Sequence, residues 1–223
     1  MSEDDLRQQY SKAGLVYYTP AEEAVHTVSH LIGVLGAALA FALALVRKLS
    51  APSLAYVIVS SLLWAIQFGI SAAYHGARHI GAKRVLRHLD YAAVSLNVIA
   101  CGAAFCLLYG SVYGYVALGV SVALTIGVLA LCLVRFDKYK RVAVAAAFAV
   151  GALMFGAFWS AYCSPAGIVN KYPVVWYHLA GLLTCLVGAA IFGVHKRWAH
   201  AVFHILVLIG PALCAVGNYY QLT

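Results

Sequence analysis

The chain has 223 residues, of which 64% are hydrophobic and only 10% are charged. Soluble domains carry about 25% charged residues, so this composition excludes a soluble fold with an apolar core and a polar surface. The net charge of +8 comes from short basic clusters between apolar runs, which indicates membrane topology and argues against nucleic acid as a partner. We therefore expect an integral membrane protein whose partners are membrane lipids.

The apolar runs predict the number of membrane crossings. Residues 1–23 are polar and mixed in charge, without the apolar stretch of a secretory signal, and are predicted to form a short cytoplasmic segment. A spanning helix needs about 20 predominantly apolar residues, and residues 24–223 contain seven such runs. We predict one domain with an all-α fold, a seven-transmembrane helix bundle. The predicted spans are Ala24–Val46, Pro52–Tyr74, Tyr91–Tyr109, Tyr113–Val134, Val142–Tyr162, Val174–Val194 and Trp198–Tyr219.

Lysine and arginine are distributed unevenly between the two sides of these spans. With a cytoplasmic N-terminus, twelve of the 15 basic residues lie on the cytoplasmic side. Only Arg47, Lys48 and Lys171 lie in the outer loops. Because short cytoplasmic loops are enriched in lysine and arginine, this distribution predicts a cytoplasmic N-terminus and an external C-terminus. The membrane is then the plasma membrane, which in a bacterium is the inner membrane.

Three histidines fall at one predicted depth, near the cytoplasmic face. His75 follows the second span, and His200 and His204 begin the seventh. Residues four apart share one helix face, so this pair and an imidazole from a neighbouring helix can form a three-nitrogen site, which suits zinc. Asp90 opens the third span at the same depth, and Ser71 shares a helix face with His75. Interfacial histidines are often merely solvated, so spacing alone leaves the metal site as one of two interpretations.

The segments around these residues resemble signature elements of the hemolysin III / progestin and adipoQ receptor (PAQR) family. The similar segments are EEAVHTVSHLIG (22–33), SAAYH (71–75), HLDY (88–91) and HAVFH (200–204). The resemblance covers residues 21 to 220 and implies a seven-span bundle with zinc held by His75, His200 and His204. Asp90 and Ser71 would lie around the water that the metal activates, as catalytic side chains. It also implies a relationship to membrane hydrolases of the alkaline ceramidase type.

Two positions depart from the pattern of that family. His26 stands where bacterial relatives usually carry asparagine, and it either modifies the site or is a spectator. Cys214 stands where some relatives carry another histidine, which leaves the three predicted ligands unchanged. Glu22 and Glu23 begin the first span, where acidic residues commonly cap a helix. A supporting role around the site is the alternative for them.

Three functions are compatible with these features. We favour a zinc-dependent hydrolase of lipid amides or esters, with a ceramide-like substrate at the inner leaflet, because zinc activates water and polarises carbonyl groups. Asp90 would accept the proton of the attacking water. A lipid-sensing receptor with structural zinc and a pore-forming haemolysin are the alternatives. The short N-terminal segment offers little surface for a receptor's partner, and the spans offer few polar residues to line a pore. The substrate and the oligomeric state stay open.

Overall fold

A computed structural model describes residues 3–164, 167–168, 170–194 and 196–223. Within these residues all regular secondary structure is helical, as the predicted fold class requires. Helices α2 to α7 are long and apolar enough to cross a membrane, so the protein is a multi-pass membrane protein. The helices are α1 (Glu3–Lys12), α2 (Pro20–Val46), α3 (Ala51–Gly76), α4 (Ile80–Leu107), α5 (Val112–Cys163), α6 (Lys171–Phe192) and α7 (Ala199–Tyr219).

Helix α5 contains two of the predicted spans. Its 52 residues would extend about 78 Å if straight, more than twice the thickness of a bilayer core. Arg135 interrupts it with non-helical angles of φ −145° and ψ 74°. Ala117 from the first arm packs in one apolar cluster with Ala157 from the second, so α5 folds back on itself. The two arms account for the fourth and fifth predicted spans.

Neighbouring helices pack side by side, and the last helix closes the bundle. Helix α2 packs against α3, α3 against α4, α4 against α5, and α6 against α7, while α7 also contacts α2 and α4. Helices α6 and α7 meet backbone to backbone, because a Cβ added at Gly181 would lie 2.8 Å from the carbonyl oxygen of Gly210. Small residues allow this close approach.

The first turns of α2 and α7 are joined by Glu22. Thr19 caps α2, and its backbone N–H donates to the Glu22 carboxylate at 3.0 Å. The other carboxylate oxygen accepts a hydrogen bond from the backbone N–H of Trp198 at 2.8 Å. Trp198 immediately precedes α7 and has a left-handed conformation, with φ 66°. Glu22 thus fulfils the capping role expected of an acidic residue and also places the start of α7 beside the start of α2.

Candidate metal centre

Four histidines from three helices form one cluster at this end of the bundle. His26 comes from α2, His75 from the last turn of α3, and His200 and His204 from the first turns of α7. One ring nitrogen from each lies within 4.8 Å of those of the other three. His26, His75 and His204 are at most 2% exposed, and His200 is partly buried. The cluster is therefore compact and almost closed to solvent.

The spacing of the ring nitrogens fits a tetrahedral metal ion. The Nε2 atoms of His200 and His204 are 3.1 Å apart. Two nitrogens bound to one tetrahedral zinc ion at 2.0–2.1 Å would be about 3.3 Å apart. The four histidines could therefore hold a metal ion.

Unpartnered nitrogen atoms support the same interpretation. Nε2 of His26 and Nε2 of His75 are buried without a hydrogen-bond partner among the described residues. Burying a polar atom without a partner is costly, and a bound cation removes that cost by accepting nitrogen lone pairs. The donor set is thus incomplete without a ligand.

The structure brings His75, His200 and His204 together and adds His26 to them. The His26 ring stacks on that of His204, with centroids 4.7 Å apart and an interplanar angle of 25°. The sequence left His26 as either a modifier or a spectator of the site, and its position now makes it a fourth candidate ligand. Its place three residues after Glu23, at the depth of the other histidines, was the signal available in the sequence.

A cavity of about 1160 Å³ lies beside the cluster. His200, His204, Ser71 and Asp90 all line it, so both predicted catalytic side chains share one space with two of the histidines. The Asp90 carboxyl interacts with the Ser71 hydroxyl, and Cys214 lines the same cavity without belonging to the histidine cluster. Apolar side chains form much of the remaining wall. They include Phe105, Phe148, Phe155, Phe158, Leu179, Leu182 and Leu186.

Glu23 and Lys83 lie beside His75. A supporting role at the site was the alternative expected for Glu23, whereas nothing in the sequence indicated this position for Lys83. Oε2 of Glu23 lies 2.6 Å from Nδ1 of His75 and 3.7 Å from Nδ1 of His26. The Lys83 ammonium lies 2.7 Å from the other oxygen of Glu23 and is only 1% exposed. Lys83 is one of the twelve basic residues on the predicted cytoplasmic side, and it forms a buried ion pair inside α4 instead of lying in a loop.

Tyr18 covers the cluster at the end of the bundle. Its ring stacks on that of His200, with centroids 4.9 Å apart, and meets the His26 ring edge-on at 4.9 Å. Burial raises the pKa of the Tyr18 phenol, so the hydroxyl keeps its proton at neutral pH. Arg87 donates a hydrogen bond to the carbonyl of Gly14 and ties the preceding segment to α4. The predicted N-terminal segment therefore shields the histidines.

Comparison with known proteins agrees with the resemblance found in the sequence. The sequence model of the haemolysin-III related family matches residues 18–215, a range that includes the four histidines, Ser71 and Asp90. No curated protein matches the chain significantly. Since the family model covers most of the chain, and the chain folds as a multi-pass helical bundle, the protein belongs to the haemolysin-III related family.

Proposed function

We propose that the protein is a zinc-dependent hydrolase of lipid amides or esters. One observation carries the proposal: two candidate metal ligands, a serine and a carboxylate line a cavity whose other walls are largely apolar. A lipid whose acyl chain fills the apolar part would place its polar linkage beside these side chains. Imidazole nitrogens are suitable ligands for zinc. When bound, zinc supplies Lewis-acid activation of water and of a carbonyl group.

Asp90 is the proposed general base. In amide hydrolysis a water oxygen attacks the carbonyl carbon, and the C–N bond then breaks to give a carboxylic acid and an amine. The Asp90 carboxylate accepts the proton of the attacking water and returns it to the leaving nitrogen. Ser71 is 1% exposed and interacts with Asp90, so it orients this carboxylate toward the cavity.

The substitution Asp90→Asn tests this role, because it keeps the shape of the side chain and removes the base. We expect zinc content to stay unchanged while hydrolysis falls by about 100-fold or more. Purified protein would be incubated with a panel of ceramides and lipid esters, with products measured by mass spectrometry and zinc by elemental analysis. Asp137→Asn, an exposed carboxylate in α5 paired with Lys140, is the matched control.

Two outcomes would contradict the assignment. Loss of zinc in Asp90→Asn would make Asp90 a metal ligand instead of a base. Absence of hydrolysis by the wild-type protein across the whole panel would refute the hydrolase.

A lipid-sensing receptor is the second candidate, and His26 favours it. Four imidazoles would fill a tetrahedral metal ion completely, as in structural zinc sites, whereas catalytic sites keep one position open. The cavity would then bind a lipid without cleaving it. Saturable lipid binding by a zinc-loaded protein that hydrolyses no member of the panel would establish this alternative.

We further propose that the histidine end of the bundle faces the cytoplasm. The warrant is the excess of lysine and arginine on this side of the predicted spans. A reporter enzyme that is active only after export, fused after Thr223, should be active in intact cells. A fusion at Asp137, between the two arms of α5, should be inactive. The opposite pattern would reverse the orientation and place the substrate in the outer leaflet.

A further inference from the structure

We infer that Glu23 and Lys83 are positioning residues that fix His75 for metal binding and thereby set the metal affinity of the cluster. The inference rests on metal binding by the histidines and does not require hydrolysis. Neither residue lines the cavity, so neither is placed to touch a substrate. Both act through His75, the one ligand of α3.

Glu23 determines which nitrogen of His75 is free. An ionised carboxylate only accepts hydrogen bonds, so the contact of 2.6 Å requires that Nδ1 of His75 carries the proton and donates it. In a neutral imidazole the lone pair then belongs to Nε2. That atom is buried and has no partner in the described part of the chain. Glu23 therefore selects the tautomer that offers Nε2 to a metal, an arrangement in which carboxylates orient metal-binding histidines.

Lys83 keeps Glu23 in the form that can do this. A buried carboxylate is costly unless a cation compensates it, and the Lys83 ammonium lies 2.7 Å from its Oε1. The same ammonium donates hydrogen bonds to the carbonyls of Tyr74 and His75 at 3.0 and 3.2 Å. These carbonyls belong to the last turn of α3, where helical partners are missing. Lys83 thus holds both the carboxylate behind His75 and the backbone that carries it.

Glu22, the nearest other carboxylate in the sequence, does not replace Glu23. Glu22 is occupied with Thr19 and the backbone of Trp198, although it is the immediate neighbour of Glu23. A rotation of about 100° per residue along α2 directs the two carboxylates to different sides. Lys83 also lies 4.9 Å from the centre of the Tyr74 ring, which packs its ammonium group in a fixed position.

The substitution Glu23→Gln tests the inference, because glutamine keeps the size of the side chain and removes the negative charge. We expect zinc affinity to fall by about 10- to 100-fold, measured on the full-length protein in detergent by competition with a chromophoric chelator. The visible absorption spectrum of the cobalt-substituted protein should change as well, since it reports ligand geometry. Lys83→Met should act in the same direction, and Glu23→Asp should retain part of the affinity.

The control is an ion pair that does not belong to the histidine cluster. Asp137 and Lys140 form an exposed pair at 3.2 Å in α5, and Asp137→Asn and Lys140→Met should leave zinc affinity unchanged. Thermal unfolding of the metal-free variants separates positioning from folding. An affinity loss accompanied by equal loss of stability in the metal-free Glu23→Gln and Glu23→Asp proteins would overturn the positioning role.

Two further outcomes distinguish this inference from the proposed hydrolase. Wild-type zinc affinity and cobalt spectra in both Glu23→Gln and Lys83→Met would overturn it, whatever the protein does to lipids. A wild-type protein that hydrolyses no lipid, but whose zinc affinity responds to Glu23→Gln as expected, would refute the hydrolase and uphold the inference.

Discussion

Two buried polar clusters, one near each end of the bundle, are built differently. At the end remote from the histidines, Asn218 donates hydrogen bonds to the hydroxyl of Tyr56 at 2.7 Å and to the carbonyl of Cys101 at 3.1 Å. Its own oxygen accepts from Gln221 at 3.0 Å, and the Gln221 oxygen accepts from Tyr109 at 2.5 Å. We refer to these four side chains, Tyr56, Tyr109, Asn218 and Gln221, as the Asn218 network.

The Asn218 network is uncharged, and its amide groups satisfy one another. The histidine end contains a buried ion pair between Glu23 and Lys83, together with ring nitrogens that lack partners among the described residues. A complete set of hydrogen bonds fixes helices relative to each other. An incomplete set in a buried place calls for an explanation, and at the histidine cluster a bound metal ion would supply one. The comparison therefore separates a structural polar cluster from the candidate metal centre within the same bundle.

The largest expected effect comes from removing two histidines of α7. His200→Ala combined with His204→Ala leaves at most two imidazoles, so we expect zinc content to fall from about one per chain to a trace. Elemental analysis after purification without added metal measures this. A doubly substituted protein that retains full zinc content would contradict the candidate metal centre.

A smaller effect is expected from the opposite end. Asn218→Ala removes hydrogen bonds to α3 and α4 and leaves the partners of Asn218 unsatisfied, so we expect a loss of about 1–3 kcal/mol in stability. Zinc content should not change. Thermal unfolding in detergent and elemental analysis of the same sample measure the two quantities. A loss of zinc in Asn218→Ala would show that the two ends are coupled, and the comparison would then fail.

The membrane topology predicted that His75, His200 and His204 would lie close together. Consecutive spans of alternating direction place His75 at the end of one helix and His200 and His204 at the start of another. Helices α2, α3 and α7 bring these ends together. Hydrophobic run length likewise predicted the seven spans, because a bilayer dictates how long each apolar segment must be. Ser71 and Asp90 line one cavity, which agrees with their predicted positions near the depth of the histidines in the membrane.

The environment of His75 could not be predicted in the same way. Glu22 and Glu23 are equivalent in the sequence, and only the rotation of α2 makes one a cap and the other a partner of His75. In the sequence Lys83 stands next to Arg84 and looks like one of the basic residues that mark a cytoplasmic loop. In the structure it is buried and paired with Glu23. The basic stretch around Arg135 looked like a loop, whereas a single non-helical residue turns α5. The roles of these residues depend on the three-dimensional directions of their side chains and backbone. The composition of the sequence does not give those directions.

The hydrogen bond from Trp198 to Glu22 has a consequence for how the protein is made. It joins residues 176 positions apart in the chain. The histidines are also far apart in the chain, with His26 and His75 in the first two long helices and His200 and His204 in the last. During synthesis the first two ligands enter the membrane long before the other pair exists. The candidate metal centre is therefore completed only when α7 inserts, and metal occupancy would report that the whole bundle has assembled.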